Sequence, residues 1–430
     1  MKRKLGEFFR VLFLVFVVSA VFVWEAQPLP SSTPPDNYLY WANIEWSHIS
    51  RLSLDGLLVE PIFIPVPESP MGLAVDEEFI YWTYPWGSSI GRAKLNGSES
   101  NPYFITGCFR PFGVAVDDNY IYWTNIEDPS GGDNENANKI GRAKLDGSDV
   151  NQRFITLSPG LGVRGIAVSK EFIYLAGGRD WHPAIMRANL DGTGFNEAWI
   201  EGWMTKPIGS AHCIAITKSH IYWTNYDGYP VSDFPFISRA NLDGSNAVIL
   251  VQGDAGWHSL VGIGTRGDFI YWGEYGGNRI GRSNLDGSNV NPNWITGTGF
   301  CGGIALTPQS VKYTFEGFFS PVDNIPTVNK ANAGQAIPVK WRLTDKNGLP
   351  VSDPASFISI ESYVVNCANF EGDPTNTVYE PAAGSSGLQY LGDGRWQFNW
   401  KTSKSYKGQC RTMKLTLDDH EEYTASFSFK

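Results

Sequence analysis

The stretch that decides the fold reads GVAVDDNYIYWTNI, residues 113–126. It contains a short apolar run, an acidic break and a second apolar run in which Tyr122 and Trp123 are adjacent. Successive side chains of a β-strand point to opposite faces, so these two rings need burial on both sides of their sheet. A sheet stacked between two neighbouring sheets provides this, and each buried aromatic ring removes about 150–250 Å² from water. The stretch therefore predicts a strand inside a stack of sheets.

The same pattern is written six times along the chain. The repeats of the second apolar run are YLYWAN, FIYWTY, YIYWTN, FIYLAG, HIYWTN and FIYWGE, whose shared tyrosines are Tyr40, Tyr81, Tyr122, Tyr174, Tyr222 and Tyr271. Each run is followed by a segment such as IGRAKLDG, in which Asp-Gly or Asn-Gly suits the positive φ of a tight hairpin turn. A further apolar stretch follows, and a GLAVD-type strand lies between repeats. Four strands per repeat are predicted.

The two ends of the repeat region complement each other. The chain enters at YLYW without a preceding GLAVD-type strand, and the sixth repeat is followed by an unpaired GIALTP at residues 303–308. Strands from both ends would therefore complete one sheet and close a ring, which removes exposed sheet edges. We predict an all-β chain with a six-bladed β-propeller over residues 37–308.

These repeats resemble the YWTD repeats of low-density-lipoprotein-receptor class B propellers, and the resemblance implies a rigid, non-catalytic binding platform. Three departures are visible. The closing Asp of the motif is replaced, by Asn43, Asn125 or Asn225 in three repeats and by Glu274 in another. Leu175 stands where Trp is expected, which predicts a less well packed fourth blade. No Cys-rich module flanks the repeats, so lipoprotein-receptor biology does not carry over.

Residues 311–430 follow a different pattern. Alternating runs such as IPVKWRLTD and RWQFNWKT, separated by Gly/Pro/Asn loops, predict a small Ig-like β-sandwich. The segment resembles the C-terminal domain of bacterial exported proteins with a P-x-K-F signature, here Pro338-Val339-Lys340-Trp341. The resemblance implies a bacterial, extracytoplasmic accessory module. Cys367 and Cys410 are the only cysteines of this segment, and we favour a disulfide over two buried thiols.

The N-terminal residues indicate export. Basic residues precede an apolar run, so residues 1–26 are interpreted as a signal peptide or an uncleaved signal anchor, with a Pro/Ser-rich linker over 27–36. We expect a secreted, cell-surface or periplasmic bacterial protein, a monomer that meets a membrane only through this segment. The net charge of −10 argues against nucleic acid as a partner.

Strand alternation places the loops before each inner strand and the loops after each IYW run on one face of the ring. The residues before the inner-strand glycine position should surround the channel mouth, and they are Met71, Phe112, Arg164, His212, Val261 and Gly302. The same face is rich in rings that suit a protein or carbohydrate ligand. The candidate ligand-binding residues are Trp46, Tyr84, Trp86, Phe112, Arg164, Trp181, His212, Tyr226, Trp257 and Tyr275.

A catalytic alternative uses the same mouth. His212 as general acid and Arg164 as anion holder, with His258 one loop further on, could serve a lyase or a lactone hydrolase. No matching set of acids and no known catalytic motif accompanies them. The sequence therefore favours a binding protein over an enzyme.

Metal and cofactor signals are weak. The oxygens of residues 128–136 could bind calcium (Asp128, Asp133, Asn134, Glu135 and Asn136), but their spacing fails the EF-hand pattern and favours a solvated loop. Cys108, Cys213 and Cys301 lack paired metal-ligand spacing and are expected to be buried thiols or one incidental disulfide. We expect no cofactor.

Overall fold

The described chain is built almost entirely from antiparallel strands. The computed structural model describes residues 37–56, 58–126, 139–179, 182–201, 208–226, 234–308, 312–370, 372, 376–383, 387–419 and 421–430. Two single-turn 3₁₀ helices, Pro354–Ser356 and Lys404–Tyr406, are the helical elements in these ranges. None of the described helices is long or apolar enough to cross a membrane. The predicted signal segment and linker, residues 1–36, lie outside the described residues.

Residues 38–306 contain twenty-four strands. In chain order they are β1 (Tyr38–Asn43), β2 (His48–Ser53), β3 (Val59–Pro65), β4 (Leu73–Val75), β5 (Phe79–Thr83), β6 (Ser89–Lys94), β7 (Asn101–Thr106), β8 (Pro111–Val116), β9 (Tyr120–Asn125), β10 (Lys139–Lys144), β11 (Asn151–Thr156), β12 (Gly162–Val168), β13 (Phe172–Arg179), β14 (His182–Asn189), β15 (Asn196–Glu201), β16 (Ala211–Ile216), β17 (His220–Asn225), β18 (Phe236–Asn241), β19 (Val248–Gln252), β20 (Ser259–Arg266), β21 (Phe269–Tyr275), β22 (Arg279–Asn284), β23 (Asn291–Thr296) and β24 (Cys301–Leu306).

These strands form four-stranded sheets, an arrangement consistent with a β-propeller. Sheet 1 has the order β24-β1-β2-β3, and each later group of four consecutive strands forms one of sheets 2 to 6, with β4, β8, β12, β16 and β20 as the inner strands. The prediction that the 303–308 segment pairs with YLYW is confirmed, because Tyr40 opposes Ala305 and Trp41 opposes Ile304. The Gly303 amide donates to the Met71 carbonyl at 2.6 Å, which joins sheet 1 to sheet 2.

Each tryptophan of the IYW strand faces a very small residue on the next strand. Trp82, Trp123 and Trp272 oppose glycines, whereas Trp41 and Trp223 oppose serines. A Cβ on Gly141 would lie 2.0 Å from the Trp123 ring, so the indole occupies the space that a side chain would need. The pair is therefore one packing unit contributed by two strands.

In sheet 4 the strand that usually carries tryptophan has a smaller residue, and the opposing strand has a larger one. Leu175 replaces the tryptophan, and its cross-strand partner is Met186 instead of glycine or serine. Both side chains are fully buried. The expectation of a poorly packed fourth sheet is not supported, because the methionine supplies the volume that the leucine lacks.

In five of the described sheets 1 to 6, the repeated arginine of the third strand lies between aromatic rings. The Arg92 guanidinium carbon lies 4.1 Å from the Phe79 ring centre and 3.8 Å from that of Phe104. It also donates to the Leu145 carbonyl of the next sheet at 2.8 Å. Equivalent cation–π contacts are made by Arg51, Arg142, Arg187 and Arg282. This arginine therefore stabilises its own sheet and, in such cases, its neighbour.

Residues 313–429 form two further sheets that share one hydrophobic core. Their strands are β25 (Tyr313–Phe319), β26 (Val328–Ala331), β27 (Ala336–Asp345), β28 (Phe357–Val365), β29 (Val378–Tyr379), β30 (Leu388–Gly392), β31 (Arg395–Lys401), β32 (Cys410–Leu417) and β33 (Glu422–Phe429). The sheet orders are β25-β27-β31-β30 and β26-β33-β32-β28-β29. Trp341 of the P-x-K-W segment is fully buried in the shared core. Its motif therefore contributes packing.

The predicted disulfide is confirmed. Cys367 and Cys410 are bonded, whereas Cys108, Cys213 and Cys301 are free. A disulfide persists in oxidising compartments, so the bond is compatible with an exported protein.

The size exchange in sheet 4 makes a quantitative prediction. Leu175→Trp alone should lower the free energy of unfolding by about 1–3 kcal/mol, because the indole would overpack against Met186. Adding Met186→Gly should recover most of the loss, giving a coupling energy of about 0.5–3 kcal/mol in a double-mutant cycle. Chemical denaturation of the single and double variants measures both, and additive losses would contradict the paired-volume interpretation.

The disulfide closes a segment with a sequence separation of 43 residues. On the chain-entropy model, Cys367→Ser with Cys410→Ser should lower the stability of residues 312–430 by about 4 kcal/mol, because the unfolded chain regains conformational freedom. Urea denaturation followed by Trp fluorescence, with and without reductant, measures the loss. A wild type that is equally stable when reduced would refute the estimate.

Candidate functional site

The channel mouth is formed by residues that interrupt the pairing of the inner strands. Each inner strand except β4 shows a register shift where it pairs with its neighbour. Arg164 is the extra residue between the Val163 and Gly165 pairs, and Val261 occupies the matching place in sheet 6. In sheets 3 and 5 the shift covers Phe112-Gly113 and His212-Cys213. A bulge redirects the side chain of the extra residue. Sequence alternation alone did not predict these bulges.

The carbonyl groups of the bulged residues connect adjacent sheets. The Thr83 hydroxyl accepts from the Gly72 amide at 2.9 Å and donates to the Phe112 carbonyl of sheet 3 at 2.6 Å. Thr124 repeats the arrangement with the Arg164 carbonyl at 2.8 Å. These threonines follow the tryptophan in the repeat, and their recurrence was a signal for this role that the sequence analysis missed. The backbones of Phe112 and Arg164 are therefore held between adjacent sheets.

Two of the mouth side chains meet across the ring. The His212 ring lies 5.2 Å from the Phe112 ring, edge-on, and 5.2 Å from the Tyr226 ring, stacked. Phe112 also packs with Ile44 and Met71 of sheets 1 and 2. The inner strands enclose a cavity of only about 50 Å³, lined mainly by Gly, Val, Leu and Ile. A ligand of appreciable size would consequently bind above these rings and outside the channel.

Of the six predicted mouth residues, Arg164 is the one with a charged side chain at neutral pH. Burial, with a smaller contribution from the Arg164 charge, lowers the pKa of His212 to about 3. Burial raises the pKa of the neighbouring Cys213 thiol to about 12. At neutral pH the imidazole is therefore uncharged, and without the imidazolium proton His212 is a poor general acid. Arg164 is exposed, and its guanidinium makes no hydrogen bond or ion pair with a described residue.

The loops around the mouth lie next to the strands that lead into it. The amide of Ile44 donates to the Phe300 carbonyl at 3.0 Å, and that of Cys108 to the Ser88 carbonyl at 3.0 Å. The face that carries residues 44–47, 84–88, 276–278 and 297–300 together with the bulged residues is called the mouth face below. The 218–219 turn lies on the opposite face, where Lys218 pairs with Glu421 of the C-terminal sheets.

Three predicted binding rings are exposed on the mouth face. Trp46 and Trp86 leave 60% and 66% of their surface accessible, and Tyr275 leaves 39%. Trp46 stacks on His48 with a centroid distance of 6.3 Å, and Tyr275 lies 5.2 Å from Phe300. These rings belong to sheets 1, 2 and 6, which are adjacent, so they form an arc along one side of the mouth.

Other predicted binding residues are placed differently. Tyr84 is fully buried in the core between sheets 1 and 2, so its prediction as a ligand-binding ring is wrong. Its burial raises the pKa of its hydroxyl. Trp257 is half-buried and stacks on Trp272 at 5.3 Å, which makes it part of the packing of sheet 6. Trp181 lies outside the described residues, as do the acidic and amide residues at 128–136.

His258 is held at the rim by a carboxylate. Its amide donates to Glu274 Oε2 at 3.0 Å, and its exposed ring lies 3.8 Å from the same oxygen through Nδ1. Asn125 and Asn225 occupy the place of Glu274 in their sheets and accept the amides of Phe109 and Gly209. The residue that replaces the closing Asp thus anchors the loop before the inner strand.

No metal site is evident in the described ranges, where no group of three or more His, Cys, Asp or Glu side chains is placed to hold an ion. His212 Nδ1 and Cys213 Sγ are 3.6 Å apart.

The fold and the mouth define an all-β protein of the propeller type. No protein-family model and no curated protein sequence matches the chain, so the YWTD and P-x-K-F resemblances are not shown. Solved structures with a similar fold include AztD of Citrobacter koseri (12% identity, TM-score 0.31, covering 63% of this chain and 97% of that one). They also include the GH74 enzyme of Niastella koreensis, with 11% identity and a TM-score of 0.38, covering 90% of this chain and 63% of that one. A third is a candidate 6-phosphogluconolactonase from Bacteroides uniformis, with 11% identity and a TM-score of 0.40, covering 63% of this chain and 100% of that one.

The comparisons correct one expectation. The sequence favoured a protein without enzymatic activity, but the structures of similar fold include the GH74 enzyme and prolyl endopeptidases. An architecture that enzymes share gives no ground for excluding catalysis. At these TM-scores it gives no ground for transferring an activity either.

The buried imidazole predicts a pH dependence of stability. The pKa of His212 is lower in the folded state than the ordinary value of 6.5, so below that value the unfolded chain binds a proton that the folded chain does not. The contribution of His212 is therefore unfavourable to folding at low pH, and the free energy of unfolding should fall as the pH drops from about 6.5 towards 3, by up to about 1.4 kcal/mol per pH unit. Urea denaturation across this range measures the slope.

His212→Phe is the matched control, because it keeps a ring between Phe112 and Tyr226 without a titrating group. Its stability should decline less steeply with acidification than that of the wild type. Parallel declines in the two proteins would contradict the assignment.

Proposed function

We propose that the chain is an exported bacterial protein whose six sheets are the blades of one closed propeller, followed by an Ig-like sandwich, and that it binds a carbohydrate ligand on the mouth face. The observation that carries the proposal is the arc of exposed rings, Trp46, Trp86 and Tyr275, beside the bulged mouth residues. The disulfide supports export, and the repeats support the propeller.

The chemistry of the arc favours a sugar over a peptide. Two indoles stand well exposed on adjacent sheets, and a flat ring of this kind can stack against the C–H face of a sugar. A peptide side chain would be expected to anchor in a pocket at the centre of its interface. Among the described residues the central position is already filled by Phe112 and His212, which are nearly completely buried. An extended ligand lying over the rings fits this surface better.

A second candidate function is catalysis on the bound ligand. Arg164 is exposed at the mouth and its charge acts on His212, so a cation and a neutral imidazole are close to the point where a ligand would lie. In this alternative Arg164 would hold an anionic group, and His212 would contribute hydrogen bonding in its neutral form. A lyase or a lactone hydrolase would use such a pair.

The proposal predicts the effect of removing the exposed rings. Trp46→Ala and Trp86→Ala should each weaken capture on a glycan array by about tenfold, the effect of a loss somewhat above 1 kcal/mol, with little change in thermal stability. Trp123→Ala is the contrasting control, and it should lower the free energy of unfolding by about 3–5 kcal/mol because its indole is a core residue.

Array binding and thermal unfolding of the three variants test the assignment. Loop variants that bind as the wild type does would refute the arc as the binding surface. Turnover of a captured glycan that disappears in both Arg164→Ala and His212→Ala would establish the catalytic candidate.

A further inference from the structure

Arg164 differs from the other arginines of the repeat region. The repeated arginine of five sheets lies between two aromatic rings, and Arg279 pairs with the buried Glu274 at 2.9 Å. Arg164 is exposed and has neither a ring nor a carboxylate partner among the described residues. A guanidinium with five unused donors is available to a ligand.

The mouth positions equivalent to Arg164 carry no competing negative charge. The equivalent positions of the other sheets carry Met71, Phe112, His212, Val261 and Gly302, none of which is acidic. Among the described residues, the Arg164 charge acts on both His212 and Cys213. The six mouth positions together therefore carry one positive charge, although the whole chain carries a net charge of −10. A local charge opposite to that of the chain points to an anionic ligand group.

We propose that the channel mouth is an anion subsite in which Arg164 binds the carboxylate of an acidic carbohydrate, a polymer or oligomer of uronic acid. This inference rests on the proposed function and names its ligand class. The planar guanidinium matches a carboxylate with two parallel hydrogen bonds.

The mouth provides a place for the sugar ring beside the carboxylate. Tyr226 is partly exposed and stacks on the His212 ring, the same ring on which the Arg164 charge acts. The bulge fixes the backbone of Arg164 through the Thr124 hydroxyl, which limits the conformational freedom lost on binding. The arc of Trp46, Trp86 and Tyr275 lies on the same face and would contact neighbouring sugar units.

The test uses the full exported chain and a matched pair of probes. Isothermal titration calorimetry at low salt measures the affinity for an oligogalacturonate and for the same oligomer with methyl-esterified carboxyl groups. Inorganic phosphate is titrated separately. The wild type should bind the acidic oligomer at least about tenfold more tightly than the ester. Its affinity for the acidic oligomer should fall as salt is added, since the hydrogen bonds to the guanidinium are charge-assisted.

Variants assign the preference to Arg164. Arg164→Gln should bind the acid no better than the ester, whereas Arg164→Lys should keep part of the preference because it keeps the charge. Arg395→Gln makes the same charge change at an exposed position of β31 and should bind as the wild type does. Circular dichroism of each variant confirms folding.

Four outcomes would overturn the inference. Equal binding of acid and ester by the wild type would refute it, as would an unchanged preference in Arg164→Gln or phosphate binding as tight as that of the oligomer. Equal binding that is lost in Trp46→Ala and Trp86→Ala would leave the carbohydrate-binding proposal intact while removing the anion subsite. Absence of binding to either oligomer refutes the inference, and the glycan array then decides the proposed function by itself.

Discussion

The close approach of neighbouring inner strands is the constraint on which the rest of the propeller region depends. A Cβ on Gly72 would lie 2.3 Å from the Phe112 carbonyl oxygen, and one on Gly113 would lie 2.4 Å from that of Arg164. Only a residue without a side chain fits at these positions. In sheets 3 and 4 the backbone bulges just before the glycine, and the carbonyl of the bulged residue faces the neighbouring sheet. Strand spacing thus determines which residues occupy the mouth positions in these sheets.

The sequence predicted the repeat pattern well because its signals are local. Alternation, the Asp-Gly turns and the incomplete repeats at the two ends follow from strand geometry and sheet edges, and the pairing of 303–306 with 39–41 confirms that reasoning. The disulfide was also predictable, since two cysteines had no other candidate partner within their segment.

The site was less predictable because it depends on which way each ring turns. Tyr84 and Trp86 are two residues apart after the same strand, yet Tyr84 is fully buried and Trp86 is 66% exposed. Composition does not separate the two. The compensation of the smaller Leu175 by the larger Met186 was not predicted for a similar reason, because the two residues lie on different strands and become neighbours only when the strands pair. The low pKa of His212 was not predictable either, because it results from burial of the ring between Phe112 and Tyr226, which belong to different sheets.

Sheet 1 also places a condition on the order of events during synthesis. Its strands β1 and β24 occupy the two ends of the repeat region, with Tyr40 opposite Ala305. During synthesis β1 must therefore remain without its inner neighbour until β24 has emerged, while sheets 2 to 6 each consist of consecutive strands. The entropic cost of joining distant segments grows only slowly with their separation along the chain. The distance between β1 and β24 therefore delays the completion of sheet 1 more than it destabilises the sheet. A chain that stops before residue 301 would lack the inner strand of sheet 1, and the apolar YLYW segment would then have no strand partner on that side.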